Sequence, residues 1–64
     1  MRNDIKKRRH ERNLSQAELA RSMGVSRQTI NSIETEKYTP SLPLALALGR
    51  FFNTPIEEMF DADE

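Results

Sequence analysis

The residues from Ser15 to Ser26 place a helix start, a helix stop and a second helix start within one short stretch. Ser15 and Glu18 match a capping box, in which the hydroxyl and the carboxylate bind free amide groups at a helix start. Gly24 tolerates the positive φ angle that commonly ends a helix, and Ser26 is a preferred N-cap residue. Because only Val25 separates the stop from the next start, the two helices must turn sharply. The stretch therefore predicts a helix-turn-helix over about residues 15–34, with its second helix over about residues 27–34.

Helix signals also flank this motif. Asn3 is placed to cap a first helix that runs to about Arg12. Ser41 is placed to cap a fourth helix, whose first turn contains Pro43, and Asn53 breaks that helix. No strand-like alternation of polar and apolar residues is sustained, so we predict a compact all-α fold of five short helices.

The fifth helix is predicted at the C-terminal end. Thr54 and Glu57 match a second capping box, with Pro55 in the preferred first helical position. We expect this helix to run to about Phe60, and we expect the acidic segment over residues 61–64 to be a frayed tail.

Composition limits how a fold of this size is stabilised. The chain has 64 residues, no cysteine and one histidine, which predicts one domain over residues 1–64 without a disulfide framework or a zinc staple. Its longest mainly apolar stretch, LPLALAL, is too short to span a membrane, and nothing resembles a signal peptide. We therefore expect a cytoplasmic protein with no membrane partner.

The residues that most often carry catalysis or bind metals are not grouped here. His10 lies in a basic run without partners at ligand or triad spacing. Glu57 and Glu58 are adjacent in a predicted helix, so their side chains do not face each other. The sequence predicts no catalytic residue, no metal site, no cofactor and no enzyme activity.

Charge is balanced overall but unevenly distributed along the chain. Residues 1–37 contain nine Lys and Arg against five Asp and Glu, whereas residues 38–64 contain one against five. A domain with a basic half can present a positive face to a polyanion. The run KKRRHER over residues 6–12 is equally well interpreted as a solvated helix face, so charge alone leaves both interpretations open.

The stretch LSQAELARSMGVSRQTINSIE, over residues 14–34, strongly resembles the DNA-binding domain of phage repressors and Cro proteins, the XRE family. Residues in the family's order and spacing are Gln16, Ala20, Gly24, Ile30, Ile33 and Glu34. The proline loop and the Pro-Ser-Leu opening of the fourth helix extend the match over nearly the whole chain. The resemblance implies a five-helix repressor-like domain that binds double-stranded DNA and regulates transcription.

Three positions depart from the family pattern. Glu36 stands where relatives often carry the glycine of Asn-Gly-Lys, which leaves the geometry after the third helix open and adds negative charge near a phosphate-approaching loop. Arg8 stands where many relatives carry leucine, so the first helix is expected to be less deeply anchored. Asn13 replaces a common glycine, which is a mild change because asparagine tolerates the left-handed region.

The outer face of the second helix of the motif follows from its periodicity. With Ile30 facing the core and a step of about 100° per residue, the opposite side carries only polar side chains. These outward residues are Gln28, Asn31 and Ser32, flanked by Arg27 and Thr29. Any amphipathic helix has a polar solvent face, which is the alternative interpretation.

The resemblance implies that the N-terminal end of this helix enters the major groove. Gln28 would then contact adenine, and Arg27 would contact guanine. Asn31 and Ser32 are the two further residues expected to contact bases.

Phosphate contacts follow from the same resemblance. Gln16, in the first turn of the second helix, is implied to bind phosphate together with the amides of that helix start. Lys37 and its loop would hold the DNA backbone on the other side. Ser26 and Thr29 complete the expected phosphate-contacting set.

Arg9 has two open roles. Its side chain either approaches a DNA phosphate or pairs with Glu34, as the equivalent residues do in some family members. Of these two roles we expect the pairing. If the pair is partly buried, removing either partner alone should destabilise the domain more than removing both.

The C-terminal half is unusually apolar for its length. The residues concerned are Leu42, Leu46, Phe51, Phe52, Ile56, Met59 and Phe60. Not all of them can point inward, and one domain offers only one recognition helix, so we expect some of them to form a homodimer contact. A two-fold dimer would select a palindromic operator with half-sites about 10–10.5 bp apart.

Two function classes remain open from the sequence. The first is a sequence-specific DNA-binding transcriptional regulator, a repressor without a small-molecule ligand. The second is a protein-interaction module, such as an antitoxin-like or anti-repressor partner, that uses the acidic and apolar C-terminal segment. The discriminating feature is the outer face of the third helix, which DNA binding requires to be accessible.

Overall fold

Five helices and one small sheet make up the described part of the chain. A computed structural model describes residues 1–61. The helices are α1 (Ile5–Glu11), α2 (Gln16–Met23), α3 (Arg27–Glu34), α4 (Leu42–Phe52) and α5 (Ile56–Met59). The strands β1 (Arg2–Asn3) and β2 (Phe60–Asp61) pair antiparallel. The predicted all-α architecture of five helices is confirmed, and the two short strands are an addition that the sequence did not indicate.

The sheet joins the two ends of the described chain. Arg2 lies opposite Asp61, and Asn3 lies opposite Phe60. An ion pair of 2.8 Å links the Arg2 guanidinium to the Asp61 carboxylate. The predicted fifth helix therefore ends one residue early, at Met59, and Asp61 belongs to a strand rather than to a frayed tail. The rest of the predicted tail, residues 62–64, lies outside the described residues.

The start of α1 differs from its prediction. The N-cap residue is Asp4, and Asn3 is instead part of β1. The Asn3 side chain nevertheless satisfies three backbone groups: its Oδ1 accepts from the Ile5 amide at 3.1 Å, and its Nδ2 donates to the Ile33 carbonyl at 2.9 Å and to the Met1 carbonyl at 3.2 Å. Asn3 thus ties the N-terminal strand to α1 and to the end of α3.

The predicted turn between α2 and α3 is confirmed in detail. The Glu18 amide donates to Ser15 Oγ at 3.0 Å, and the Ser15 amide donates to Glu18 Oε1 at 2.8 Å. Gly24 ends α2 with a φ of 72°. Ser26 then caps α3 by accepting from the Thr29 amide at 3.1 Å.

The connection between α4 and α5 is formed differently from the predicted capping box. Ser41 caps α4 as expected, and Asn53 ends it in the left-handed region. The Thr54 hydroxyl instead donates to the Phe52 carbonyl at 2.9 Å and accepts from the Arg8 guanidinium at 3.3 Å, and no side chain caps α5. Helix α5 begins at Ile56, and Pro55 is its N-cap residue.

The core is built from all five helices. Its fully buried large side chains are Ile5, Leu19, Ile30, Ile33, Leu48 and Met59. Helix α1 is anchored by Ile5, while Arg8 is half-buried and pairs with Asp4 at 2.9 Å. No helix within residues 1–61 is long and apolar enough to cross a membrane.

Candidate nucleic-acid interface

Helix α3 presents polar side chains on a face opposite to two core isoleucines. Ile30 and Ile33 are completely buried. Arg27, Gln28 and Asn31 are exposed on the other side. Within residues 1–61 the Gln28 side chain forms no hydrogen bond, so both its donors and its acceptor are available. The short turn at Gly24 and the two isoleucines therefore fix a helix whose exposed side is entirely hydrogen-bonding.

One flank of α3 is an open groove between the helix and the loop that follows it. Its lining residues are Ser26, Gln28, Thr29, Asn31, Ser32, Lys37 and Tyr38. Two amides of the loop close onto the helix end, because Lys37 and Tyr38 both donate to the Ser32 carbonyl, at 2.9 and 3.2 Å. All seven lining side chains can donate hydrogen bonds, which suits the acceptor oxygens of a nucleic acid.

The groove depends on an unusual backbone conformation at Glu36. Its φ angle is 65°, which lies in the left-handed region that glycine occupies without strain. The geometry that the family's glycine supports is therefore retained here by a residue with a side chain. The Glu36 side chain is exposed and is not part of the groove lining.

Two of the expected phosphate-contacting hydroxyls lie together at the start of α3. The oxygens of the Ser26 and Thr29 hydroxyls are 2.9 Å apart and share a hydrogen bond. Ser26 also accepts from the Thr29 amide. Ser26 is exposed and Thr29 is half-buried, so both hydroxyls lie at the rim where α3 meets the groove.

On the other flank, the Gln16 side chain connects α2 to three residues of α3. Its Oε1 accepts from the Arg27 guanidinium at 3.1 Å. Its Nε2 donates to Asn31 Oδ1 at 3.1 Å and to Glu34 Oε1 at 3.0 Å. An amide nitrogen has two protons, so both Gln16 donors are already engaged. A phosphate contact by Gln16 would have to replace one of these bonds.

The Arg9 side chain takes the pairing role with Glu34. Nε to Oε2 is 2.7 Å, and the second nitrogen donates to Oε1 at 3.0 Å, which makes the contact bidentate. The Arg9 and Glu34 side chains are only 7% and 2% exposed. A further Arg9 nitrogen donates to the Leu14 carbonyl at 2.8 Å. The pair thus fixes α1 to the end of α3 and supports the Gln16 amide.

Burial and hydrogen bonding oppose each other at Glu34. Burial alone would raise the pKa of this carboxyl, but the hydrogen bonds from Arg9 and Gln16, together with the Arg9 charge, hold its pKa below the ordinary glutamate value. Glu34 is therefore ionised at neutral pH and accepts from both partners.

A family model described as helix-turn-helix matches residues 5–59, which contain all five helices. The chain belongs to the helix-turn-helix family. An uncharacterized HTH-type transcriptional regulator of Methanocaldococcus jannaschii is 50% identical over 60 residues, with 94% of this chain and 91% of the relative covered. One from Archaeoglobus fulgidus is 48% identical over 64 residues, covering 100% of this chain and 90% of the relative. A third, from Bacillus subtilis, is 39% identical, covering 100% of this chain and 97% of the relative. These similarities confirm the resemblance seen in residues 14–34.

Much of the basic run on α1 of this helix-turn-helix domain is used internally. Arg9 pairs with Glu34, and Arg8 pairs with Asp4. Arg12 donates to the Phe51 carbonyl at 2.6 Å and lies over the Phe51 and Phe52 rings. Four exposed residues of the run line an open groove beside Glu34, and they are Lys6, Lys7, His10 and Glu11. Within residues 1–61 no group of three or more His, Cys, Asp or Glu is placed to hold a metal ion.

The apolar residues of the C-terminal half divide into buried and exposed sets. Phe52 and Met59 are buried, while Phe51, Ile56 and Phe60 are half-buried and pack against the core. Leu42 and Leu46 remain 64% and 41% exposed. They are four positions apart in α4 and therefore lie on one face of the helix.

Tyr38 is the site residue that the sequence interpretation did not include. It is 45% exposed and lines the groove beside Lys37. Its position next to a candidate phosphate-contacting lysine, in the loop after α3, was the signal available in the sequence.

Proposed function

We propose that this helix-turn-helix protein is a sequence-specific DNA-binding transcriptional regulator, and not an enzyme, that places α3 in the major groove of double-stranded DNA. The observation that carries the proposal is the exposed polar face of α3, held on the fully buried Ile30 and Ile33. Its relatives' description as HTH-type transcriptional regulators supports the same function.

The proposed base contacts follow from the chemistry of each exposed side chain. Gln28 has a free amide that matches the N6 and N7 edge of adenine. Arg27 has donors only, which match the O6 and N7 acceptors of guanine. Asn31 and Ser32 lie one turn further along α3 and contact the neighbouring bases.

Phosphate contacts flank these base contacts on both sides of α3. Lys37 contributes the positive charge, and the Ser26 and Thr29 hydroxyls, which share one hydrogen bond, contribute one uncharged donor. Gln16 is the candidate on the opposite flank, where it exchanges one of its internal hydrogen bonds for a phosphate oxygen. These contacts fix the register of α3 without selecting a sequence.

We further propose that the protein binds a palindromic operator as a homodimer and represses transcription by occupying it. The dimer contact is the face of α4 that carries Leu42 and Leu46, because these two are the exposed large aliphatic side chains within residues 1–61. A two-fold contact would place two copies of α3 about one helical turn of DNA apart.

Selection of binding sites from a random double-stranded DNA library by the full chain tests the function directly. We expect an enriched site made of two inverted half-sites with centres about 10–10.5 bp apart. Binding to that site should weaken steeply as salt increases, because phosphate contacts release counterions. If no sequence is enriched and binding is independent of salt, the function is wrong.

The dimer contact is tested by light scattering of the protein alone and on the selected duplex. Leu42→Glu with Leu46→Glu should give a monomer and weaken operator binding. Lys7→Glu, a change of an exposed α1 residue, is the control for the free protein and should keep its assembly state. A parent that is monomeric both free and on the operator would contradict the dimer.

The same apolar face favours one alternative function, a protein-interaction module such as an antitoxin-like or anti-repressor partner. Glu57 lines the groove next to Leu42, and Glu57 and Arg50 both line the groove next to Leu46, so this face has charged borders suited to a partner of complementary charge. The two functions differ in the role of Gln28. Under the alternative, Gln28→Ala has no effect on the activity of the protein, and the library selection enriches no site.

A further inference from the structure

Tyr38 is a large side chain left exposed at the edge of the candidate interface. Within residues 1–61 three large apolar side chains are strongly exposed, and Tyr38 is the one outside α4. It lines the groove beside α3 together with Lys37, Ser26 and Thr29. Its phenol has no hydrogen-bond partner within the described residues. An exposed phenol next to a lysine and two hydroxyls is therefore placed where DNA would approach.

The backbone around Tyr38 is held rather than free. The Tyr38 amide donates to the Ser32 carbonyl at 3.2 Å, and the Lys37 amide donates to the same oxygen at 2.9 Å. The left-handed Glu36 turns the chain back, and its amide donates to the Ile33 carbonyl at 3.0 Å. The loop backbone is therefore held against the end of α3, which keeps the Tyr38 side chain beside the groove that Gln28 also lines.

The groove has the chemistry of a phosphate site. Among its lining residues the Lys37 ammonium is positive, the Tyr38 hydroxyl is a neutral donor, and the bonded pair of Ser26 and Thr29 hydroxyls has one further proton to donate. No carboxylate lines it within the described part of the chain. Neutral hydroxyl donors beside one cation are a common way in which proteins bind phosphate oxygens of DNA.

We propose that the Tyr38 hydroxyl donates a hydrogen bond to a DNA phosphate that lies in the groove between α3 and the 36–38 loop. This inference rests on the DNA-binding function proposed above and adds a binding residue to it. Because the phenol is neutral, it holds the phosphate without releasing an additional counterion. Tyr38 and Lys37 therefore contribute differently to the salt dependence of binding.

Tyr38→Phe in the full chain removes the hydroxyl and keeps the aromatic ring. Because hydrogen bonds to charged groups are stronger than hydrogen bonds between neutral groups, we expect the affinity of Tyr38→Phe for DNA to fall by about tenfold. The loss should be equal on the selected operator and on duplexes with changed bases, since phosphate contacts carry no sequence information. The salt slope should remain that of the parent, whereas Lys37→Ala should reduce it by about one.

Ser22→Ala is the control, because it removes an exposed hydroxyl on α2 that lines neither this groove nor the grooves beside Leu42 and Leu46. It should bind as the parent does. Thermal unfolding of Tyr38→Phe should match that of the parent, since the removed hydroxyl has no partner within residues 1–61. Tyr38→Ala additionally removes the ring and should bind no better than Tyr38→Phe.

Three results would overturn the inference. One is parental affinity of Tyr38→Phe on every duplex. Another is a loss confined to a single base position, which would make Tyr38 a base-contacting residue. A third is a shift of the monomer–dimer equilibrium by Tyr38→Phe with unchanged DNA binding by the assembled dimer, which would place Tyr38 in a protein contact. In all three cases the parent still binds its operator, so the proposed function stands; a parent that binds no DNA would remove both.

Discussion

Removing one partner of the Arg9–Glu34 pair should cost much of the stability of this domain. Both side chains are nearly completely buried, and two hydrogen bonds of 2.7 and 3.0 Å join them. Loss of one partner leaves the other charge buried and uncompensated, which costs about 3–5 kcal/mol. A domain of 64 residues has a total stability of about 3–10 kcal/mol. Arg9→Met and Glu34→Met should therefore each be close to unfolding at room temperature.

The double variant should be more stable than either single variant. With both charges removed, two methionines of similar size fill the site and no buried charge remains unpaired. We expect the two substitutions to be coupled by at least about 2 kcal/mol. Urea unfolding followed by far-ultraviolet circular dichroism at neutral pH measures all four free energies of unfolding.

A half-exposed ion pair on the same helix provides the control. Arg8 pairs with Asp4 at 2.9 Å, and their side chains are 25% and 36% exposed. Arg8→Met should change the free energy of unfolding by no more than about 1 kcal/mol, because solvent screens such pairs. If the losses from the Arg9 and Glu34 variants simply add in the double variant, burial of the pair is not the source of its contribution.

Further predictions concern pH and two backbone positions. Because the pKa of Glu34 is lowered in the folded state, the stabilisation from its ionised form is complete at neutral pH and is lost as the pH falls below about 4. Thermal midpoints should fall over that range, and the double variant with Met at positions 9 and 34 should have a flatter profile. Glu36→Gly should raise the urea midpoint, corresponding to about 0.5–1 kcal/mol, because glycine relieves the left-handed φ of 65°; an unchanged midpoint would show that Glu36 is unstrained. Gly49→Ala should lower the free energy of unfolding by about 1–3 kcal/mol, because the added Cβ would lie 3.0 Å from Ile56 Cγ2 and 3.0 Å from the Thr54 carbonyl oxygen. Urea unfolding measures this loss, and a variant as stable as the parent would contradict the prediction.

The helix-turn-helix was predictable because its signals are local. The capping box of Ser15 with Glu18, the stop at Gly24 and the cap at Ser26 each act within one turn of helix. Their geometry in the structure follows the sequence signals residue by residue. The outer face of α3 followed from periodicity once Ile30 was assigned to the core.

The features that the sequence did not indicate depend on contacts between distant segments. Strands β1 and β2 are two residues each and pair across the whole described chain, from Arg2 to Asp61. Thr54 matched a capping box, but its hydroxyl instead donates to the preceding helix end at the Phe52 carbonyl. The bonds of Gln16 to α3 likewise depend on how closely α2 and α3 approach, which spacing along the chain does not determine.

The central claim, that the outer face of α3 contacts bases, is tested most directly by Gln28→Ala. The Gln28 side chain is exposed and unbonded within residues 1–61, so its removal should leave folding intact. Titration of the selected operator, and of duplexes changed at each base pair, measures both affinity and preference. We expect a loss of about 1–3 kcal/mol on the operator and a relaxed preference at one base position. If Gln28→Ala binds every duplex as the parent does, Gln28 contacts no base and the proposed recognition by α3 is wrong.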